Sequence, residues 1–192
     1  MKKVLLFATV AVFAACNNQP AATVDASAKT TADSTIAEIK SPYEIGYSSK
    51  FVMGDPKNAE TVLNLWKDWD NNNLANGKNS FADTVEFNFS DGSKLRASRD
   101  SALAVAQKMR DGQASITSTI DAVMSVKSLM NNLSPRPEDQ NENWAVLWGE
   151  ERVTDKKGRR DSSAIQEIWR LNKDGKVDLV YQYRKKLAGT KK

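Results

Sequence analysis

Apolar residues in the first half of the chain recur with a helical period. Asp55-Pro56 supplies an N-cap acid followed by proline, which is a typical helix start. Apolar side chains then recur every three or four positions, as on the buried side of a helix. Asparagines at 71–73 end the pattern, so we predict a first helix from 56 to about 72. Its apolar residues are Val62, Leu63, Leu65, Trp66 and Trp69.

The next segment alternates apolar and polar residues and predicts a strand over 81–89. Asp91-Gly92 is a typical tight hairpin turn, and it leads to a short return strand over 94–97. Ser98 is placed to cap a second helix over 99–110. This part of the chain therefore predicts a hairpin followed directly by a helix.

From residue 113 onward the apolar period is two, which predicts long strands. Turns at 155–160 and 173–176 and a longer loop at 131–143 separate them. In the last three strands the residues we place in phase are Trp144, Val146 and Trp148; Ile165, Glu167, Trp169 and Leu171; and Val177, Leu179, Tyr181 and Tyr183. Helices segregated from strands indicate an α+β fold. We expect a strongly curved antiparallel sheet with helices packed on its concave face.

The N-terminus has the pattern of a processing signal. A basic start is followed by an apolar run over 4–15, which is shorter than the roughly 20 residues that span a bilayer. The run ends Phe13-Ala14-Ala15-Cys16, which resembles the bacterial lipobox. We predict a signal peptide at 1–15 and lipidation of Cys16, the only cysteine. An ordinary signal peptide followed by a chance cysteine is the alternative.

The segment after Cys16 has almost no large apolar residue, so it cannot bury enough surface to offset its ordering entropy. We predict a lipidated flexible tether over 16–41 and one domain over 42–192, with its core at about 55–187. We expect the lipid to anchor the domain in the cell envelope. Because Asn17 rather than aspartate follows Cys16, the outer membrane is favoured, with periplasmic and surface exposure both open.

The composition removes several kinds of chemistry. A chain without histidine has no Ser-His-Asp triad, no Cys-His pair and no His-ligated zinc, and one cysteine makes no internal disulfide. The net charge of +4 includes Lys2 and Lys3, whose loss with the signal peptide leaves +2. The basic residues at 156–160 are interrupted by Gly158 and predict a solvated turn. We predict no metal, no cofactor and no nucleic-acid partner.

Several motifs together carry a resemblance to a known superfamily. They are the helix end Trp66-Lys67-Asp68-Trp69-Asp70, the strand over 81–87, the helix start at 98–100 after a hairpin, and the ending over 167–177. Over residues 58–186 the chain resembles the NTF2-like superfamily, and within it the SnoaL-like proteins. The resemblance implies a cone with a deep pocket. Its members include isomerases, cyclases, epoxide hydrolases and binding modules, so the fold does not supply the function.

Glu167 is the most suggestive polar residue, because it shares its strand face with apolar neighbours. A buried carboxylate needs a partner or a raised pKa. We predict Tyr181 or Tyr183 as that partner. Such a pair resembles the acid–base arrangement of ketosteroid isomerase-type members. The alternative is a glutamate on the outer sheet face or at a dimer interface.

Other candidates for the pocket wall are two acids and three aromatic residues. Asp83 and Asp121 are placed to act as general bases if they face the cone, although the pattern favours solvated acids at both positions. The aromatic residues line either a core or an apolar ligand pocket. They are Trp148, Trp169 and Tyr183.

These observations favour a membrane-anchored module that binds a small apolar ligand or assists other envelope proteins, rather than an enzyme. Two alternatives stay open. One is a metal-independent isomerase or lyase that uses Glu167 and Tyr181. The other is an interaction scaffold whose cone is filled by its own side chains. A homodimer through the outer sheet face is a further hypothesis.

Overall fold

The computed structural model describes residues 39–45, 47–48, 50–129 and 142–188. The signal peptide, Cys16, the tether before residue 39 and nearly all of the loop predicted at 131–143 lie outside these ranges. Within the described ranges, no helix has both the length and the apolar character needed to cross a membrane.

Both helices begin where the sequence places their caps. Helix α1 spans Pro56–Asp70, and the Asp55 carboxylate accepts the Lys57 backbone N–H at 2.9 Å. Helix α2 spans Arg99–Asp111, and the Ser98 hydroxyl accepts the Ser101 backbone N–H at 3.3 Å. A short 3-10 turn at Asn76–Ser80 leads from α1 into the sheet. The local capping chemistry therefore predicts the helix starts correctly.

The sheet has seven strands in the order β1-β4-β5-β6-β7-β2-β3 and does not close. The strands are β1 Phe51–Met53, β2 Phe81–Asn88, β3 Lys94–Ser98, β4 Gln113–Ser128, β5 Asn143–Asp155, β6 Arg160–Leu171 and β7 Val177–Lys186. The sequence predicts antiparallel pairing throughout, but β2 runs parallel to β7. β1 is too short for a sequence pattern and forms by pairing with the end of β4.

Irregular pairing bends the sheet at β4. The register between β4 and β5 shifts between Ile120 and Ala122, which leaves Asp121 as the extra residue of a β-bulge. Gly149 lies opposite this point, and a Cβ there would collide with the Thr119 carbonyl oxygen. Glycine therefore permits the close approach of β4 and β5, and the bend opens space between the sheet and the helices.

The core lies between the concave face of the sheet and the two helices. On β5 and β6 every second residue faces the helices. Ala145 and Leu147 are two of these residues, and they are completely buried. Full burial of such side chains stabilises the fold by about 1.5–3 kcal/mol each for the larger ones. The core residues are Val62, Leu65, Trp66, Phe81, Val85, Ala102, Ala145, Leu147, Ile165, Trp169, Leu171, Val177 and Val180.

Candidate functional site

A cavity of about 960 Å³ lies between the concave sheet face and the helices. This volume is at the upper end of the range typical of small-molecule sites. Its walls are mostly apolar and include Leu65, Phe81, Val85, Phe87, Ala102 and Val180. The cone is therefore not filled by its own side chains, which disfavours the scaffold alternative in its predicted form.

Glu167 lies on the cavity wall and is only 3% exposed. Its Oε2 accepts the indole N–H of Trp66 at 2.8 Å and that of Trp169 at 2.8 Å. Its Oε1 accepts the side-chain amide of Gln182 at 2.5 Å. The carboxylate thus joins helix α1 to strands β6 and β7 through three neutral donors.

Glu151 repeats this arrangement one turn further along α1. It is 3% exposed, and its Oε2 accepts the indole N–H of Trp69 at 2.9 Å. Its Oε1 lies 2.6 Å from the Arg184 guanidinium, whose side chain is about one-third exposed. Two tryptophans three residues apart on α1 therefore each donate to a buried glutamate of the sheet. Together these groups form a polar strip on an apolar wall.

Burial raises the pKa of Glu167 above its ordinary value of 4.5. The hydrogen bonds from Gln182, Trp66 and Trp169 act in the opposite direction, and the neighbouring charge of Glu151 adds to the increase. Desolvation is the largest contribution. The pKa of this carboxyl therefore lies closer to neutrality than that of an exposed glutamate.

The raised pKa predicts how stability depends on pH. Between pH 4.5 and the folded-state pKa, the folded protein holds a proton on Glu167 that the unfolded chain releases. The contribution of this proton to stability is complete below pH 4.5 and is lost as pH rises through the folded-state pKa. We expect the stability difference between the native chain and Glu167→Gln to fall over this interval and then level off.

Urea titrations of both chains at a series of pH values measure this difference. Four surface acids have a lowered pKa, but they titrate in both chains, so their contributions cancel in the difference. They are Asp91, Asp100, Asp155 and Asp161. A difference that stays constant with pH, or that grows as pH rises, would contradict the placement of Glu167 in a desolvated wall.

Hydrogen bonds tie the C-terminal ends of the two helices to each other and to β4. Arg110 is 5% exposed and donates to the carbonyl oxygens of Trp69 at 2.7 Å and Asp70 at 2.8 Å. The Asp70 carboxylate accepts the Ser118 hydroxyl at 2.7 Å. These bonds fix the C-terminal ends of both helices to β4. The wall that carries Trp66 and Trp69 is therefore held in place.

The predicted partner of Glu167 is corrected. On β7 the residues that line the cavity are Val180, Gln182 and Arg184, so Tyr181 and Tyr183 point to the convex face. The cause is a register irregularity that makes Asp178 an extra residue and reverses the side-chain phase after Val177. Glu167 consequently bonds to two tryptophans and a glutamine instead of a tyrosine.

Three further candidates for the pocket wall lie outside the cavity, and two of them, Asp83 and Asp121, are the solvated acids that the pattern favoured. Trp148 lies on the convex face, because Gly149 and Glu151 on the same strand face inward. Asp83 has a side chain that is 96% exposed and lies 3.5 Å from Arg99. Asp121 is exposed at the bulge of β4. Of the predicted wall residues, the structure brings Glu167 and Trp169 into the cavity.

The cavity wall also contains three residues that the sequence pattern did not indicate: Glu151, Gln182 and Arg184. Glu151 is in phase with the apolar residues Ala145 and Leu147, and this pattern could have indicated that it faces inward. The larger tryptophans in the other phase favoured the opposite face. Trp144 belongs to that other phase, and its indole donates to the Tyr47 hydroxyl at 3.1 Å on the convex side. The homodimer through this convex face stays a prediction.

The polar strip is not arranged as a metal centre. Across the part of the chain that the structure describes, no three His, Cys, Asp or Glu side chains are grouped to hold an ion. Both wall carboxylates already accept two or three hydrogen bonds from tryptophan, glutamine or arginine. What this strip can do is orient a polar group of a molecule whose remaining surface contacts the apolar wall.

Solved structures with the same architecture have little sequence similarity to this chain. An NTF2-like protein of unknown function from Burkholderia pseudomallei is 17% identical, with a TM-score of 0.50 over 67% of this chain and 90% of that one. An LEH-like epoxide hydrolase from M. tuberculosis is 10% identical, with a TM-score of 0.51 over 68% and 84%. AusH from Aspergillus nidulans is 14% identical, with a TM-score of 0.50 over 70% and 87%.

No protein-family model matches the sequence, and the comparison with characterised proteins finds no relative. Likeness to solved structures at 10–17% identity shows a shared fold and not a shared reaction. The resemblance seen in the sequence motifs is confirmed at that level. With the curved sheet, helices α1 and α2 and the cavity between them, the described part of the chain has the NTF2-like fold.

Proposed function

We propose that this protein is a lipid-anchored binding module of the cell envelope, whose cavity takes a small and largely apolar ligand. The observation that carries the proposal is the cavity of about 960 Å³ with apolar walls and one polar strip. Anchorage is supported by the pattern that ends at Cys16. Acyl chains on that cysteine anchor the protein because each CH₂ group buried in the membrane contributes about 0.8 kcal/mol of binding free energy.

The polar strip favours binding over isomerase or lyase chemistry. A proton-abstracting carboxylate needs a lone pair directed at the substrate, and three of the roughly four lone-pair sites of Glu167 already accept N–H groups of the protein. The Tyr181 phenol, which would donate a hydrogen bond to a reaction oxyanion, lies on the convex face. The side chains of the polar strip are held in place by their hydrogen bonds to one another. They can therefore orient a bound ligand without transferring a proton to or from it. The LEH-like epoxide hydrolase shares the fold, and its chemistry is no part of the proposal.

The proposal predicts saturable binding of a neutral apolar probe inside the cone. N-phenyl-1-naphthylamine suits this test because its absorption overlaps tryptophan emission, and Trp66, Trp69 and Trp169 lie on the wall. The full chain carrying Cys16→Ser is used, so that no attached acyl group competes for the cavity. We expect energy transfer from tryptophan that saturates at one probe per chain.

Two substitutions on one helix localise the binding. Ala106 lines the cavity, whereas Ala104 is exposed on the other side of α2. Ala106→Trp fills part of the cavity and is expected to weaken probe binding more than about tenfold, a change of 1.4 kcal/mol. Ala104→Trp makes the same chemical change outside the cavity and is expected to bind normally. Equal affinities in the two variants, or no saturable binding by the native chain, would refute the proposed function.

A further inference from the structure

The β5–β6 turn and the end of β7 form a basic rim on one side of the cavity entrance. Every cation of this rim contributes to the cavity lining. They are Lys156, Lys157, Arg159, Arg160, Arg184 and Lys186. A hairpin turn needs no such set of charges, because the Asp155 carboxylate already closes it through the Lys157 and Arg159 backbone N–H groups at 2.8 and 2.9 Å.

Half of these cations are balanced by acids. Arg159 lies 2.6 Å from Asp155, and Lys186 lies 2.9 Å from Asp161. Arg184 is paired with Glu151, as described above. Arg99, elsewhere on the wall, lies near both Asp83 and Asp100 and is balanced as well.

The other three cations of the rim carry uncompensated charge. Lys156, Lys157 and Arg160 are exposed and form no ion pair with any residue that the structure describes. Their side chains can therefore reorient toward a bound group without breaking an existing contact. Three adjacent positive charges at a low-dielectric entrance raise the local concentration of anions.

The cavity lining also reaches the surface through apolar residues of α2. Val105 and Met109 of α2 line the cavity, although they are 37% and 53% exposed. They extend the apolar lining to exposed positions. The exposed part of the lining thus combines apolar side chains with the cations of the rim.

The interior sets the direction in which a charged ligand can bind. Glu151 is paired with Arg184 of the rim, whereas Glu167 is 3% exposed on the wall and bonds only to neutral donors. An anion beside the Glu167 carboxylate would meet like charge in a medium of low dielectric constant. An anionic group therefore stays at the rim while an apolar body fills the cone. A cationic or neutral head group gains nothing from the three free cations.

We propose that the ligand is an anionic amphiphile, with its apolar body in the cavity and its carboxylate or phosphate group held at the rim by Lys156, Lys157 and Arg160. The inference rests on the proposed function and adds the chemical class of the ligand. It requires that the acid form of a chain binds more tightly than its neutral analogue of the same length.

Displacement of N-phenyl-1-naphthylamine from the full chain carrying Cys16→Ser measures this preference. The competitors are decanoate, 1-decanol and decyltrimethylammonium. They share a ten-carbon chain and carry a negative, a neutral and a positive head group. We expect decanoate to bind about tenfold more tightly than decanol, and decyltrimethylammonium to bind most weakly. The preference for decanoate is expected to shrink at high salt, because the rim is exposed.

A matched pair of triple variants tests the rim. Changing Lys156, Lys157 and Arg160 to glutamine is expected to reduce the decanoate preference to less than about threefold and leave decanol binding unchanged. The control removes the same net charge away from the entrance through Lys57→Gln, Lys67→Gln and Lys173→Gln, at exposed positions outside the lining. This control is expected to keep the full preference.

The outcomes separate the two proposals. Equal affinity of decanol and decanoate for the native chain would overturn the anionic ligand and leave the apolar binding site standing. Loss of the preference in the control triple variant would overturn it too, since the rim would then have no special role. If anionic phosphatidylglycerol vesicles bind the Cys16→Ser chain with and without Ala106→Trp equally, and decanoate is not preferred, the rim belongs to a membrane surface and the proposal is overturned. Absence of any probe binding refutes the proposed function itself.

Discussion

Replacing Glu167 with alanine is expected to lower the free energy of unfolding by about 3 kcal/mol. The substitution leaves the indole N–H groups of Trp66 and Trp169 and the amide of Gln182 without their acceptor. A buried donor that loses its partner costs about 1–3 kcal/mol, and water in the cavity compensates part of the sum. Urea unfolding of the full chain, followed by tryptophan fluorescence, measures the loss.

Glu150→Ala is the matched control, because it removes a glutamate from the adjacent strand β5. The Glu150 side chain is 29% exposed and bonds only with Arg152 among the described contacts. We expect a change within about 0.5 kcal/mol for this variant. If Glu167→Ala also lowers the free energy of unfolding by no more than about 0.5 kcal/mol, the carboxylate does not hold α1 to the sheet. A double-mutant cycle with Trp66→Phe then measures the coupling directly.

Arg184→Met is expected to cost about 2 kcal/mol at neutral pH. The substitution keeps most of the side-chain volume but leaves the buried Glu151 carboxylate with Trp69 as its remaining donor. Breaking one side of a fully buried ion pair costs about 3–5 kcal/mol, and the partial exposure of Arg184 reduces this figure. Chemical unfolding at constant pH provides the measurement.

Two further variants show whether the loss comes from the uncompensated charge. Lys185→Met removes a cation from the neighbouring position, which is exposed, and is expected to be neutral within about 0.5 kcal/mol. Adding Glu151→Gln to Arg184→Met removes the unpaired charge and is expected to recover at least half of the loss. A double variant that is less stable than Arg184→Met would contradict this explanation.

Both predictions concern residues that stabilise the fold and also form the polar strip of the cavity. Weakening them is therefore expected to affect ligand binding and stability together. A ligand that binds only the folded state raises stability by about 2.7 kcal/mol at a concentration of 100 times its Kd. Protection of the native chain by decanoate against urea, absent in Ala106→Trp, would connect the two properties in one assay.

Local signals in the sequence predict the helices, the longer strands and the class of fold, but not strand β1 or the parallel pairing of β2 with β7. The Asp55 and Ser98 caps set the helix starts, because a cap satisfies backbone N–H groups within its own turn. Alternation of apolar residues set the long strands, and the turn residues set the hairpins. These signals are local, so they can be read without knowing which elements become neighbours. They also sufficed for the resemblance to the NTF2-like superfamily.

The position of Glu167 on the concave face could also be predicted, because the large apolar residues of its strand share its phase, with Ile168 as the exception. On β5 both phases are apolar, and the sequence favoured Trp148 over Leu147. The structure instead buries Ala145 and Leu147 on the face toward the helices. The elements that pack against a strand decide which of its faces is buried.

Contacts between distant parts of the chain determine which polar groups meet in the cone. A single extra residue at Asp178 reverses the phase of β7, which turns Tyr181 outward and Gln182 and Arg184 inward. The two glutamates find their donors on α1, about 80 and 100 residues away along the chain. Local pattern fixes the period of a strand, whereas bulges and partners from distant parts of the chain fix which face is buried. For this reason the fold was predictable from the sequence, and the composition of the cavity wall was not.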